Sequence, residues 1–158
     1  MKRLFILILA LLTALMMASC KKAEEPAEPE ADTDSGYRRT TLYYATEDGF
    51  IVPVMKSIPW EEGIGRAALS YLVSGIDNDK SAAMMGLKTV IPEGTECTLR
   101  IGEGGSARVD LADIGQQTEE QEQAMVVAIV NTLTEFPSIN NVSITIDGKE
   151  KKTLSTGT

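Results

Sequence analysis

The chain has 158 residues, 43% of them hydrophobic, and 15 basic against 23 acidic side chains give a formal charge of −8. That is enough apolar residue for one domain with one core, while the acidity makes nucleic acid a poor partner and anionic lipid surfaces a poor support. Histidine is absent, which excludes His-based acid–base chemistry, Ser-His and Cys-His nucleophile pairs and the commonest metal ligand.

Residues 1–19 begin with Met1-Lys2-Arg3, run apolar over 4–15 except for Thr13, and close on Met17-Ala18-Ser19. A basic start, a short apolar run and small residues at a cleavage point predict a secretory signal peptide. The run is shorter than the ~20 residues a membrane-spanning helix needs. Small residues ahead of Cys20 resemble a bacterial lipobox, with Met17 where Leu is more usual. That resemblance implies that Cys20 becomes an acylated, palmitate-bearing N-terminus and that the protein sits at the outer face of the cell membrane. A multiply acylated cysteine supplies the two signals that stable anchoring takes. Cys97 is then the one thiol left, so no intramolecular disulfide is expected. It reads as a small apolar strand residue.

Residues 20–38 follow as a lipidated cysteine and a tether. From Ala23 to Gly36 there are six acidic residues, two prolines and no basic or large apolar side chain. Such a segment cannot offset its chain entropy by burial and stays solvated. Its reach is about 50 Å at ~3.3 Å per residue.

The folded body is expected over residues 39–158. Residues 40–44 and 49–55 are rich in β-branched and aromatic side chains around the turn signal Glu47-Asp48-Gly49. Pro53 makes the second an edge or bulged strand, and Pro59 is expected to end it. Ile64, Ala67, Ala68, Tyr71 and Leu72 form one helical stripe, with Gly75 placed as a left-handed C-cap. Residues 76–90 read as loop. Strands are predicted over 95–101 and 107–111 around the turn Gly102-Glu103-Gly104-Gly105. Thr118 and Gln121 form a capping box for a second helix, whose first turns carry Glu119, Glu120 and Glu122. Met125, Val126, Ile129, Val130, Leu133 and Phe136 are its apolar stripe, and Pro137 ends it. A last strand spans 142–146, with a turn at Asp147-Gly148. The order β-β-α-β-β-α-β predicts an α+β domain, a mixed sheet with two helices packed on one face.

No constellation of chemistry stands out. Gly63-Ile-Gly65-Arg-Ala-Ala68 has the spacing of a dinucleotide fingerprint but follows no strand and meets Glu61 and Glu62. The plainer reading is a pair of glycines that let the helix start pack closely under Trp60. Asp77-Asn78-Asp79 opens like a calcium loop but lacks its central Gly and closing Glu. Asp110, Glu135 and Asp147 sit in a strand, a helix end and a turn, each with a structural role. The expectation is a non-enzyme with no catalytic residue, metal or cofactor, and with no small-molecule ligand.

Three segments together resemble the GerMN domain family of sporulation and spore germination. They are residues 41–54 (TLYYATEDGFIVPV), 91–95 (IPEGT), and 130–137 (VNTLTEFP) running on to Ile146-Asp147-Gly148. The likeness spans about residues 40–149. It implies a module similar to the ring-building motifs of secretion and sporulation assemblies, acting through surfaces, on a lipid-anchored envelope protein. Its implied partners are envelope or sporulation-complex proteins. The chain departs from the family's founding member in carrying one copy of the domain, and from many members in having Ser74-Gly75-Ile76 where they show Gly-Pro. Tyr43 or Tyr44, Phe50, Ile51 and Trp60 are candidates for partner contact, since aromatic anchors dominate interfaces, with core burial as the alternative use of such side chains. A solute- or peptidoglycan-binding lipoprotein is the second functional reading; it requires a concave pocket with convergent polar groups.

Overall fold

A computed structural model describes residues 36–60 and 63–150. The signal peptide, the candidate lipidation residue Cys20, the tether as far as residue 35, and Glu61 and Glu62 lie outside the described residues.

The long hairpin of β1 (Tyr37–Thr46) and β2 (Ile51–Pro59) opens the body, with β1 beginning two residues before the expected start at Arg39. Its register pairs Tyr43 with Pro53 and Tyr37 with Pro59. Thr46 donates its N–H to the Phe50 carbonyl at one end, and Trp60 donates to Gly36 at the other, both at 2.8 Å. Hydrogen-bonded pairs therefore alternate in step with those ends, and both prolines fall at positions whose amides would point away from β1. Neither removes a ladder bond. Pro59 is the last residue of β2, so the strand ends there as expected, and β2 is the edge strand that Pro53 predicts.

Two helices follow, α1 (Ile64–Ser70) and α2 (Ile76–Ala83), the second in the span expected to be loop. The reason it escapes periodicity is that Ala82 is its one buried residue, so it has no apolar stripe. Polar groups hold it in place. Asn78 donates to the carbonyls of Ser70 and Val73, and Asp79 accepts from the Gly75 N–H. Gly75 is extended (φ 164°, ψ 159°) and is the N-cap of α2, not a left-handed C-cap of α1.

Strand β3 (Leu87–Lys88) returns to β1, completing a three-stranded sheet in the order β2-β1-β3. Then β4 (Glu96–Ile101) and β5 (Ser106–Ala112) form the second hairpin, and helix α3 (Glu119–Thr134) carries the chain to β6 (Asn141–Ile146), which pairs parallel to β5. After Asp147-Gly148, both at positive φ as a tight hairpin turn requires, the two-residue β7 (Lys149–Glu150) closes a four-stranded sheet, β4-β5-β6-β7. The α+β class holds, with two sheets and three helices among the described residues in place of one sheet and two helices.

The capping box forms as expected: the Thr118 hydroxyl accepts from the Gln121 N–H and the Gln121 side chain accepts from the Thr118 N–H. Helix α3 packs against β1, β2, β6 and α1. Met125, Ile129, Leu133 and Phe136 join Leu42, Tyr44, Ile58, Leu69, Leu72, Val109 and Leu111 in one core. Val126 and Val130 of the predicted stripe are half-buried. Thr132, which polarity would place outside, is fully buried. Its hydroxyl accepts the Tyr43 N–H at 3.0 Å, so the helix satisfies an amide on the side of β1 that β2 leaves free.

Candidate interaction surfaces

Adjacent residues of a strand face opposite ways, and β1 sends its even-numbered side chains inward: Leu42 and Tyr44 are buried. Tyr44 therefore belongs to the core, with its hydroxyl turned to the Tyr71 carbonyl at 3.4 Å and its pKa pushed up to about 12 by burial. Tyr43 is half-buried on the outer side and donates to Glu135 Oε1 at 2.8 Å. That hydrogen bond, with some burial and the carboxylate's charge, raises its pKa. Ile51 is half-buried at the start of β2.

The two most open aromatic candidates, Phe50 (70% exposed) and Trp60 (59% exposed), do not share a patch. Phe50 stands in the β1–β2 turn and Trp60 at the far end of the same hairpin, roughly 30 Å apart at ~3.3 Å per residue. Trp60 has its own neighbours. The Arg38 guanidinium lies 5.4 Å from its ring centroid and 5.7 Å from that of Phe136, within cation–π range of both.

Of the two glycines at the start of α1, Gly65 serves packing, though not under Trp60. A Cβ at Gly65 would lie 2.9 Å from Leu99 Cδ2 and 3.5 Å from Leu133 Cδ2, so its absence lets α1 approach both β4 and α3. Gly63 is left-handed at φ 86° and caps the helix. In the second hairpin the Gly104 and Gly105 carbonyls accept from Asn140, through its side chain and backbone N–H respectively, which ties this turn to the loop after α3.

Asp110, Glu135 and Asp147, the carboxylates that acid–base chemistry could have used, each have a structural partner. Asp110 Oδ1 accepts from the Thr145 hydroxyl (2.5 Å) and the Gly148 N–H (2.9 Å), and these bonds hold its carboxyl below the usual range. Glu135 takes the Tyr43 proton donor, and Asp147 accepts from the Asp113 N–H at 3.4 Å. Asp79 accepts from Thr89 as well as Gly75, so the Asp77-Asn78-Asp79 run secures a helix start. Burial pushes the Cys97 thiol up to about 11, which keeps it protonated and unreactive. Among the described residues, no three His, Cys, Asp or Glu side chains gather as a metal site. An open groove of about 480 Å³ runs between the β1–β2 turn, β3 and the start of α3. Part of its polar lining is paired within the fold, Lys88 with Glu47 at 2.6 Å, Ser74 with Thr89, and Gln121 with Thr118.

Residues 41–152 match the Germane family model, described as sporulation and spore germination. The chain belongs to this family. It is 29% identical over 137 residues to the spore germination protein GerM of Bacillus subtilis (strain 168), covering 86% of this chain but 37% of that relative. The fold is similar to the first GerMN domain of the sporulation protein GerM from Bacillus subtilis, with a TM-score of 0.68 at 30% identity over 75% of this chain and 90% of that one. Against the tandem GerMN domains of the same protein the TM-score is 0.67 at 29% identity, with 77% of this chain and 43% of that one covered. The chain thus spans little more than a third of the full relative and corresponds to one GerMN domain.

Proposed function

We propose that this Germane-family protein is a lipid-anchored, non-catalytic interaction module of the bacterial cell envelope, serving sporulation or spore germination. The observation that carries the reading is the family match across residues 41–152, nearly the whole described body. The relatives are named as sporulation and germination proteins. Two further features support it. The carboxylates that acid–base chemistry would need are bound to structural donors, and large aromatic side chains stand in solvent at both ends of the first hairpin. Phe50 and Trp60 are then separate contact points, with envelope or sporulation-complex proteins as the partners. Anchoring is assigned to Cys20 and a ring-building-like role to the domain.

Cell fractionation tests the anchor: Cys20→Ala is expected to release the protein from the membrane fraction. A processed mutant that stays membrane-bound would sink the lipoprotein reading. Crosslinked-envelope pull-downs test the module. Phe50→Ala or Trp60→Ala is expected to weaken partner capture by 2 kcal/mol or more where that side chain is a hot spot. A hydrolytic or transferase activity lost on one carboxylate-to-amide change would overturn the non-catalytic reading.

A further inference from the structure

Among the described strands, the outer edges differ sharply. Strand β2 has prolines at two outward amide positions, and β3 and β7 are two residues long. Strand β4 is the exception: six residues, no proline, and the end position of its sheet. The Gly102 N–H bonds the Ser106 carbonyl at 2.8 Å. By alternation, Glu96, Thr98 and Arg100 direct their backbone groups toward β5, and Cys97, Leu99 and Ile101 direct theirs outward. These outward groups have no strand partner among the described residues, and such a row of donors and acceptors is a template for another strand. The side chains at this edge are also underused. Ile101 is 51% exposed, and Cys97 and Leu99 are half-buried.

We propose that β4 pairs antiparallel with β4 of a second copy of this chain, joining two four-stranded sheets about a two-fold axis. The charges select the occupant. If Thr98 faces Thr98 of the second copy, Cys97 faces Leu99 across an outward-directed, hydrogen-bonded pair, and Glu96 faces Arg100 twice over. The Glu96–Arg100 and Thr98–Thr98 positions are then non-hydrogen-bonded pairs, where side chains come closest. Within one chain Arg100 instead sits opposite Arg108, a like charge, while Arg108 turns to Glu150 at 3.8 Å. Neither Glu96 nor Arg100 has an ion-pair partner among the described residues, and the Asp110 carboxylate that Arg100 feels is already bound by Thr145 and Gly148. The strand is therefore complementary to itself in hydrogen bonding, apolar edge and charge. An isologous contact of this kind closes at two copies.

The inference deepens the interaction-module reading by naming one partner, and its test does not depend on any other envelope protein. Two differently tagged full-length copies are co-expressed and one is captured in detergent. Wild-type copies are expected to co-purify, while Glu96→Arg with itself and Arg100→Glu with itself fall roughly tenfold or more. Captured together, the Glu96→Arg and Arg100→Glu copies carry two opposite-charge pairs and are expected to recover the wild-type yield. Oxidation gives an independent readout. Thr98→Cys, which meets itself on the axis, is expected to form a covalent dimer, and Arg100→Cys, placed opposite Glu96, is not. No self-capture by wild type, no recovery in the mixed pair, or equal crosslinking of the two cysteine variants overturns the proposal. Such a failure leaves capture of other envelope proteins by Phe50 or Trp60 intact, so the two readings fail separately.

Discussion

In the β2-β1-β3 sheet the long outer strand carries Pro53 and Pro59 where its amides would face solvent, whereas in the β4-β5-β6-β7 sheet the outer strand β4 carries no proline. The other side of the first sheet is attended too: β3 covers its end, and Thr132 of α3 takes the Tyr43 amide. Both sheets turn one face to the same core and the other to solvent, so alternation alone makes them look alike. The difference lies in the phase of proline relative to the hairpin register. A proline out of phase with the ladder removes no internal bond yet blocks pairing from outside.

The largest expected effect falls on the element the sheets share. Leu133 of α3 is fully buried, and Leu133→Ala should cost about 2–5 kcal/mol in urea unfolding, loosening both sheets in one transition. A loss below roughly 0.5 kcal/mol would mean that this face of α3 is not core.

A glycine pair sharpens the second sheet. Gly104 and Gly105 are both left-handed, at φ 71° and 74°. A Cβ at Gly104 meets nothing within 4 Å, while one at Gly105 would lie 2.8 Å from the Ser138 backbone oxygen and 2.6 Å from Asn140 Nδ2. Gly104→Ala should therefore cost about 1 kcal/mol from backbone strain alone, and Gly105→Ala about 2–4 kcal/mol, since backbone cannot step aside. Equal losses in thermal unfolding would contradict the docking of this turn onto the loop after α3.

For the first sheet the corresponding test is Thr132→Val. It keeps the shape of the side chain and strands the Tyr43 N–H, with an expected cost of about 1–3 kcal/mol. Faster amide exchange at Tyr43 should accompany it while β5 amides stay protected. The smallest effect belongs to Asp110 at the solvent side of the second sheet. Its folded-state pKa is lowered, so its contribution is complete above the ordinary carboxylate range and is lost as the pH falls through that lowered value. Asp110→Asn should be less stable than wild type near neutrality by no more than about 1 kcal/mol. Denaturant midpoints should converge on acidification; a gap that widened toward low pH would reverse the sign of the linkage.

The residues themselves determined what depends on near neighbours along the chain. The capping box of Thr118 and Gln121, the glycine hairpin between β4 and β5, the Asp147-Gly148 turn and the α3 stripe of Met125, Ile129 and Leu133 each follow from local chemistry, and each appears where that chemistry puts it. The three segments resembling GerMN domains likewise lie within the matched family region. Tertiary structure decided what depends on partners remote in sequence. Helix α2 buries almost nothing and is held by Asn78 and Asp79, so no period reveals it; its acidic first turn, with Asp77 and Asp79, is the one local sign. Which of Tyr43 and Tyr44 faces inward depends on where α3 lies, because alternation separates two faces without saying which is covered. Phe50 and Trp60 are ten positions apart on the chain, and only the straightness of the paired hairpin sets them at opposite ends of it. The edge position of β4 is decided the same way: among the described residues no other strand arrives to pair with its outer side.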